Sequence, residues 1–224
     1  MTPVGWPCPL PGGGTAPEYA LVFDRGRPAR LLIIPALFDE GNRMRRFAVE
    51  VMRRLDAGGI DSFLPDLPGC NESLRPLEEQ TPATWRDAVT SAAAQFAATH
   101  VLGIRGGCLF TPAPLPCWHY APVKGASILR QMMRARILAS REAGRDEKSD
   151  QLVATARRGG IELAGYPLGA EFYRAFEALE PMAGAIMAAQ EDIGGSGLWL
   201  RAEPGEDPGQ ADALAAIIAK GLAP

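Results

Sequence analysis

This chain of 224 residues has few histidines, and its cysteines are not clustered. The histidines are His100 and His119 alone, and the four cysteines are scattered at Cys8, Cys70, Cys108 and Cys117. No CxxC spacing occurs, and no pair of histidines lies near a cysteine. We therefore expect free thiols, no metal site and no cofactor, because both metal sites and disulfide frameworks need closer groupings.

Long apolar runs and an excess of charge of either sign are also lacking. The net charge is -3, which gives no reason to expect nucleic acid or an anionic membrane as a partner. No uncharged apolar run approaches the roughly 20 residues that span a bilayer. Residues 1–14 lack the basic start and apolar core of a signal peptide. We therefore expect a cytoplasmic protein without a membrane span.

Strand-like and helix-like segments alternate along the chain. The continuous apolar run at residues 29–35 is typical of a strand covered on both faces, and residues 44–55 carry a helical apolar stripe. We predict an α/β fold of three layers with a doubly wound, mostly parallel sheet in one domain, residues 1–224. Residues 124–175 are predicted to be a small helical insertion that could act as a lid. The other predicted strands are 19–23, 60–65, 100–104, 117–123 and 197–201, and the other helices are 84–98, 127–143, 171–179 and 211–222; residues 183–189 fit either state.

The junction after the strand at residues 100–104 carries the spacing Gly-x-Arg-x-Gly, with Arg105 at its centre. A strand, this spacing and then a helix make the frame of the nucleophile elbow G-x-S-x-G. Arginine cannot be the nucleophile because it stays protonated. Three interpretations stay open: Arg105 pairs with a nearby carboxylate, it binds an anion beside Ile104 and Gly106, or the junction is not an elbow.

The loop at residues 35–42 precedes a helix and would supply one oxyanion-hole N–H group in this plan. Asp39 and Glu40 suit the helix dipole, and one of them could be the counter-ion of Arg105. Phe38 and Asn42 belong to the same candidate site. The turn at residues 66–73 resembles a D-x-x-G-x-G-x-S turn, which we interpret as a backbone feature.

A catalytic triad cannot be completed from the sequence. The expected chain order is nucleophile, acid and then a histidine near the C-terminus, but residues 201–207 contain no histidine. Cys108 lies three residues past Arg105, inside the predicted helix, so a buried structural thiol is the favoured interpretation. The helix at residues 127–143 carries Arg130 and Arg134 on one face, which fits a solvated surface, a basic lid or a partner surface.

Four stretches in order resemble the α/β-hydrolase superfamily and, within it, the type 2 hydrolase associated with the exosortase A system of Gram-negative bacteria. These are residues 35–46 with Glu40, Asn42, Arg45 and Arg46; Gly103-Ile104-Arg105; residues 118–136 with Gln131, Arg134 and Arg136; and Gly165-Tyr166-Pro167-Leu168. In that family, too, arginine replaces serine. The resemblance implies an α/β-hydrolase fold and a link to exopolysaccharide metabolism.

Three functions follow as hypotheses from this sequence. The leading one is a non-catalytic or repurposed α/β-hydrolase-fold protein that binds a small anionic or acyl ligand at Arg105 and the loop from Phe38 to Asn42. The second is an ester or thioester hydrolase, or an acyl transferase, that uses Asp39 or Glu40 on a water molecule. The third is an interaction module that presents the basic helix at residues 127–143.

Overall fold

The structure, a computed structural model, describes residues 1–222 and contains nine strands and seven α-helices in that range. The strands are β1 (Thr2–Pro9), β2 (Thr15–Phe23), β3 (Arg30–Ile34), β4 (Asp61–Pro65), β5 (His100–Ile104), β6 (Cys117–Tyr120), β7 (Ile161–Leu163), β8 (Tyr166–Leu168) and β9 (Ile186–Ala188). The helices are α1 (Phe38–Ala57), α2 (Pro82–Gln95), α3 (Gly125–Glu142), α4 (Ser149–Gly159), α5 (Ala170–Glu177), α6 (Gln190–Ile193) and α7 (Pro208–Leu222).

Seven strands form the central sheet in the order β1-β2-β4-β3-β5-β6-β9. The four pairs from β4 to β9 are parallel, whereas β1 and β2 join antiparallel at one edge. Alternate residues of β3 face opposite layers: Leu32 and Ile34 pack towards α2 and α3, and Leu31 and Ile33 towards α1 and α7. The predicted three-layer, mostly parallel α/β fold is therefore confirmed.

The segment predicted as an insertion contains more than helices. It holds α3, α4 and α5, and between α4 and α5 the short antiparallel hairpin β7–β8. Buried residues of this segment join the core layer on one face of the sheet; they include Ile128, Met132, Leu163, Phe172 and Phe176. These side chains hold the segment over the carboxyl ends of β3 and β5.

Two expectations for single elements are wrong, and the first strand was not predicted. Residues 2–9 form this strand at the sheet edge, where prolines are tolerated on the free side. The elbow continues into a 3-10 helix at Arg105–Phe110 rather than an α-helix, since two glycines lie inside it and Pro112 follows closely. The predicted strand at residues 197–201 is a 3-10 turn, Leu198–Leu200, which packs against α1.

Residues 183–189, left open between helix and strand, contain β9. No helix among the described residues is long and apolar enough to cross a membrane. The four cysteines are free thiols. Within residues 1–222, no group of three histidine, cysteine or acidic side chains is arranged to hold a metal ion.

Candidate functional site

Arg105 occupies the sharp turn at the carboxyl end of β5. Its backbone has a φ of +52°, a left-handed conformation that non-glycine residues seldom adopt and that costs roughly 1 kcal/mol or more. The glycines around it allow close approach of neighbouring backbone. A Cβ atom at Gly107 would lie 2.4 Å from the carbonyl oxygen of Ile34, and one at Gly103 would lie 2.8 Å from the Cα atom of Cys108.

The guanidinium of Arg105 is bound on several sides. Its Nε donates to Glu40 Oε2 at 3.0 Å and its Nη2 donates to Glu40 Oε1 at 2.9 Å, so the ion pair is bidentate. Nη1 donates to the carbonyl oxygen of Ala121 at 2.8 Å. The guanidinium carbon also lies 4.1 Å from the ring centroid of Trp199. The side chains of Arg105 and Glu40 are only 13% and 8% exposed.

This pairing agrees with the first interpretation of Arg105, a contact with a nearby carboxylate. The planar fork that would grip a carboxylate or phosphate already grips Glu40, so an external anion would have to displace a buried carboxylate. A buried charge pair is retained only when both partners stay matched. Arg105 therefore connects the β5 elbow to the start of α1 as a structural ion pair.

The loop between β3 and α1 turns sharply at Phe38, whose φ is +55°. The buried Phe38 ring meets Tyr166 edge-on at a centroid distance of 5.3 Å and Phe176 at 5.7 Å, so it anchors the segment over the sheet. Asp39 is half-exposed and pairs with Arg43 one turn along α1. Asp39 and Glu40 therefore have different roles, because they lie on different faces of the first helical turn.

Asn42, Gly106 and Ile104 complete the predicted set. Asn42 Nδ2 donates to the hydroxyl of Tyr166 at 3.2 Å and so bridges α1 to β8. Gly106 is buried, and a Cβ atom there would lie 2.8 Å from Leu37 Cγ. Ile104 is fully buried and belongs to the core layer on the α1 side of the sheet. The structure thus places Gly106 and Ile104 at the elbow, where Ile104 contributes packing rather than a surface, and it places Asn42 against Tyr166.

A cavity of ≈120 Å³ opens beside the ion pair. Its apolar walls come from the β3–α1 loop and from α3, and its polar groups come from the first turns of α1 and from Gln131. The lining residues are Leu37, Phe38, Asp39, Glu40, Arg43, Ile128, Gln131, Met132, Ala135 and Ala164. An apolar cavity of roughly 150 Å³ is enough for a benzene-sized group, so this space suits a short acyl chain.

No conventional nucleophile or base joins this group among the described residues. His119 is buried, with Nε2 3.0 Å from Thr111 Oγ1, and burial lowers its pKa. His100 contacts Thr99 Oγ1 at 2.9 Å, and its pKa is lowered by burial as well. Cys108 donates its thiol proton to the Gly103 carbonyl at 3.1 Å, and burial raises the pKa of the thiol strongly. A buried, protonated thiol is not an activated nucleophile.

The turn after β4 is held by side-chain contacts that the sequence did not reveal. Asp66 is fully buried and accepts from Arg45 Nη1 at 2.7 Å and from Asn71 Nδ2 at 3.0 Å. The interpretation of this turn as a backbone feature did not include these side-chain contacts. Trp199 was not predicted to be a neighbour of Arg105, because residues 197–201 have the sequence pattern of a strand. The sequence did indicate Tyr166 and Gln131, since both lie in the stretches that carry the family resemblance.

No protein-family model matches the sequence, and no curated protein matches it. Solved structures do match. A hydrolase-like protein from Agrobacterium vitis S4 is 13% identical with a TM-score of 0.56, covering 84% of this chain and 77% of that one. Mouse alpha/beta hydrolase domain-containing protein 10 is 16% identical with a TM-score of 0.51, covering 72% of this chain and 65% of that one. Est1E from Butyrivibrio proteoclasticus is 14% identical with a TM-score of 0.50, covering 79% and 70%.

These neighbours share with this chain a central sheet and flanking helices. At such low identities, the similarity establishes the fold alone. The chain therefore has the α/β-hydrolase fold.

Proposed function

We propose that this chain is a non-catalytic α/β-hydrolase-fold protein that binds a small acyl ligand in the cavity beside Arg105 and Glu40. One observation carries the proposal: the residue at the nucleophile position is held by a bidentate ion pair to the loop that would otherwise complete an oxyanion hole. A covalent acyl intermediate needs a nucleophile at this position, and a guanidinium cannot supply one.

Glu40 is also poorly placed to replace the missing machinery. Both of its carboxylate oxygens accept hydrogen bonds from Arg105, and the side chain is 8% exposed. A general base must be free to accept a proton from a water molecule within hydrogen-bond reach. Asp39, the other candidate, is engaged by Arg43. These contacts therefore favour no residue as the general base of a hydrolase or acyl transferase.

Of the two ligand classes expected from the sequence, the acyl ligand fits better than the anion. The cavity walls are the buried apolar side chains of Leu37, Phe38, Ile128 and Met132. Around its polar end, Asp39 and Glu40 are matched by Arg43 and Arg105, so the four charges sum to zero. A neutral acyl group gains from the apolar walls without meeting an uncompensated charge.

The stretches that carry the family resemblance meet at this site, which supports a finer assignment within the proposal. Glu40 pairs with Arg105, Asn42 bonds to Tyr166, and Gln131 lines the cavity. We include in the proposal a relationship to the exosortase A-associated type 2 hydrolases and a cytoplasmic role in surface-polymer metabolism. Residues 1–224 are proposed to be one domain, with residues 124–175 as its lid.

A thermal-shift screen of the wild type and the Arg105→Ala variant tests the proposal. Ethyl butyrate and butyramide represent neutral acyl ligands, whereas butyrate and inorganic phosphate represent anions. A ligand that binds only the folded state raises the free energy of unfolding by about 2.7 kcal/mol when its concentration is a hundred times its dissociation constant. We expect the neutral compounds to stabilise the wild type and the anions to leave it unchanged.

Stabilisation by the anions, lost in Arg105→Ala, would instead assign Arg105 as an anion site. No stabilisation by any acyl compound would refute binding at this cavity. Activity is tested separately with a fluorophosphonate probe and p-nitrophenyl butyrate. Covalent labelling, or a burst of p-nitrophenol, would overturn the non-catalytic assignment.

A further inference from the structure

The cavity beside Glu40 adjoins a second, wider one. Ala135 and Ala164 line both spaces, and the outer space is an open basin of ≈700 Å³. The basin lies between the second half of α3, the turn from α3 to α4 and the β7–β8 hairpin. A ligand that occupied both spaces would pass these two methyl groups.

The basin is lined by polar side chains whose charges cancel. Arg136 and Arg145 contribute two positive charges, and Glu147 and Glu162 contribute two negative ones. Arg136 binds Glu147 with Nη2–Oε1 and Nε–Oε2 distances of 2.6 and 3.0 Å, and the Ser140 hydroxyl also donates to Glu147. This network joins α3 to the loop between α3 and α4, in which Glu147 lies.

Such a lining discriminates among head groups by their charge. A phosphate or carboxylate would be attracted by Arg136 and Arg145 but repelled by Glu147 and Glu162, and a quaternary ammonium would meet the reverse, so the lining gives neither charge a net attraction. Hydroxyl groups both donate and accept, and so can bond to the guanidinium and the carboxylate side chains together. The chemistry of the basin thus favours an uncharged, hydroxyl-rich group.

We propose that the two cavities form one groove for an amphiphile with a short acyl or alkyl chain and an uncharged polyhydroxylated head group. The chain occupies the inner cavity beside Glu40, and the head group occupies the basin between Ala135 and Arg145. This inference rests on the proposed function, because the inner part of the groove is the acyl site proposed above.

Titrations with four butyl compounds test the head-group assignment. The probes are 1-butanol, butyl glucoside, butyl phosphate and butyltrimethylammonium, and binding is followed by NMR shifts of isotope-labelled protein. We expect butyl glucoside to bind about tenfold more tightly than 1-butanol, the gain of one to two net hydrogen bonds. Butyl phosphate and butyltrimethylammonium should bind no more tightly than 1-butanol.

A matched pair of variants localises the head group. Ala139 lines the basin but not the inner cavity, whereas Leu138, the preceding residue of α3, is 59% exposed and lines neither. Ala139→Trp should lower the affinity for butyl glucoside to that for 1-butanol and leave 1-butanol binding unchanged. Leu138→Trp should alter neither affinity, and thermal unfolding shows whether both variants are folded.

The outcomes separate the two proposals. The outer basin is not a head-group site if 1-butanol binds and butyl glucoside binds no more tightly, or if Ala139→Trp leaves the higher affinity for butyl glucoside unchanged. In either case the proposed acyl site is not contradicted. Tightest binding by butyl phosphate or butyltrimethylammonium would overturn the uncharged head group. If neither 1-butanol nor butyl glucoside binds, both proposals fail.

Discussion

Arg105 and Glu40 form a bidentate ion pair across the gap between the β5 elbow and the first turn of α1. The pair occupies the position at which the fold otherwise presents a nucleophile. Trp199 lies over one face of the guanidinium, and the carbonyl of Ala121 accepts a third hydrogen bond from it. The side chain at the elbow is thus held inside the protein by a buried ion pair.

The first prediction concerns the stability that this pair provides. Arg105→Ala leaves the Glu40 carboxylate buried without its partner, and removing one member of a buried pair costs about 3 kcal/mol or more. We expect a clear fall in the free energy of unfolding, measured by urea denaturation. The double variant Arg105→Met/Glu40→Leu removes both charges and should be less destabilised than the sum of its single variants.

The control is the exposed pair of Lys124 and Glu180, whose side chains are 60% and 65% exposed. Lys124→Ala should leave the free energy of unfolding nearly unchanged, since exposed ion pairs contribute little. Equal effects of Lys124→Ala and Arg105→Ala would show that the buried pair is not a structural support.

The second prediction is that serine alone does not restore hydrolysis. Arg105→Ser recreates the G-x-S-x-G spacing at a turn with a φ of +52°. His119 is nevertheless buried against Thr111, so an activating base is absent from the contacts of the elbow described here. We expect neither esterase activity nor fluorophosphonate labelling above the wild-type level. Specific labelling of the introduced serine would reveal a base and a retained oxyanion hole.

Local sequence patterns were sufficient to predict the parallel core and the elbow. β5 has the bounds predicted for it, His100–Ile104, and the glycines beside Arg105 mark close backbone approaches that only glycine permits. The choice between Asp39 and Glu40 as counter-ion was not predictable. It depends on α1 beginning at Phe38, in a left-handed conformation, whereas the apolar stripe that predicted the helix begins at Met44.

The C-terminal part was predicted less well because short segments there serve tertiary packing. Leu198 and Trp199 have strand-like neighbours in sequence, but they turn to cover α1 and the Arg105 guanidinium. The cavity was likewise invisible in the sequence, since its walls come from α3 and from a loop that precedes it by many residues. Contacts between distant segments carry no local periodic signal.

A third prediction concerns stability at mildly acidic pH. Burial lowers the pKa of His119 below its ordinary value near 6.5, so the unfolded chain binds a proton that the folded chain resists. Stability from this residue is fully present above pH 6.5 and is lost as pH falls towards the lowered pKa. We expect His119→Asn to flatten the dependence of unfolding free energy on pH between about 6.5 and 5.

His100→Asn serves as the comparison, because the pKa of His100 is also lowered but its ring is less buried than that of His119. Its effect on the pH dependence should be smaller. An unchanged slope in His119→Asn, in a variant that remains folded, would show that this ring titrates normally in the native state.

The fourth prediction is that the thiols of the native protein react slowly, which tests whether a cysteine could replace the missing serine. Burial raises the pKa of Cys8 to about 11 and that of Cys70 to about 12, and it raises the pKa of Cys108 further. At pH 8 a thiol with a pKa near 11 is ionised to about one part in a thousand, whereas an unperturbed thiol is ionised to roughly a quarter. Alkylation of Cys8, Cys70 and Cys108 by iodoacetamide at pH 8, followed by mass spectrometry, should therefore be at least about a hundredfold slower in the native protein than in urea.

Cys108 is the decisive position because it lies close to Arg105 along the elbow. Rapid native alkylation there would indicate a thiolate beside the guanidinium and would favour a cysteine nucleophile over the non-catalytic assignment.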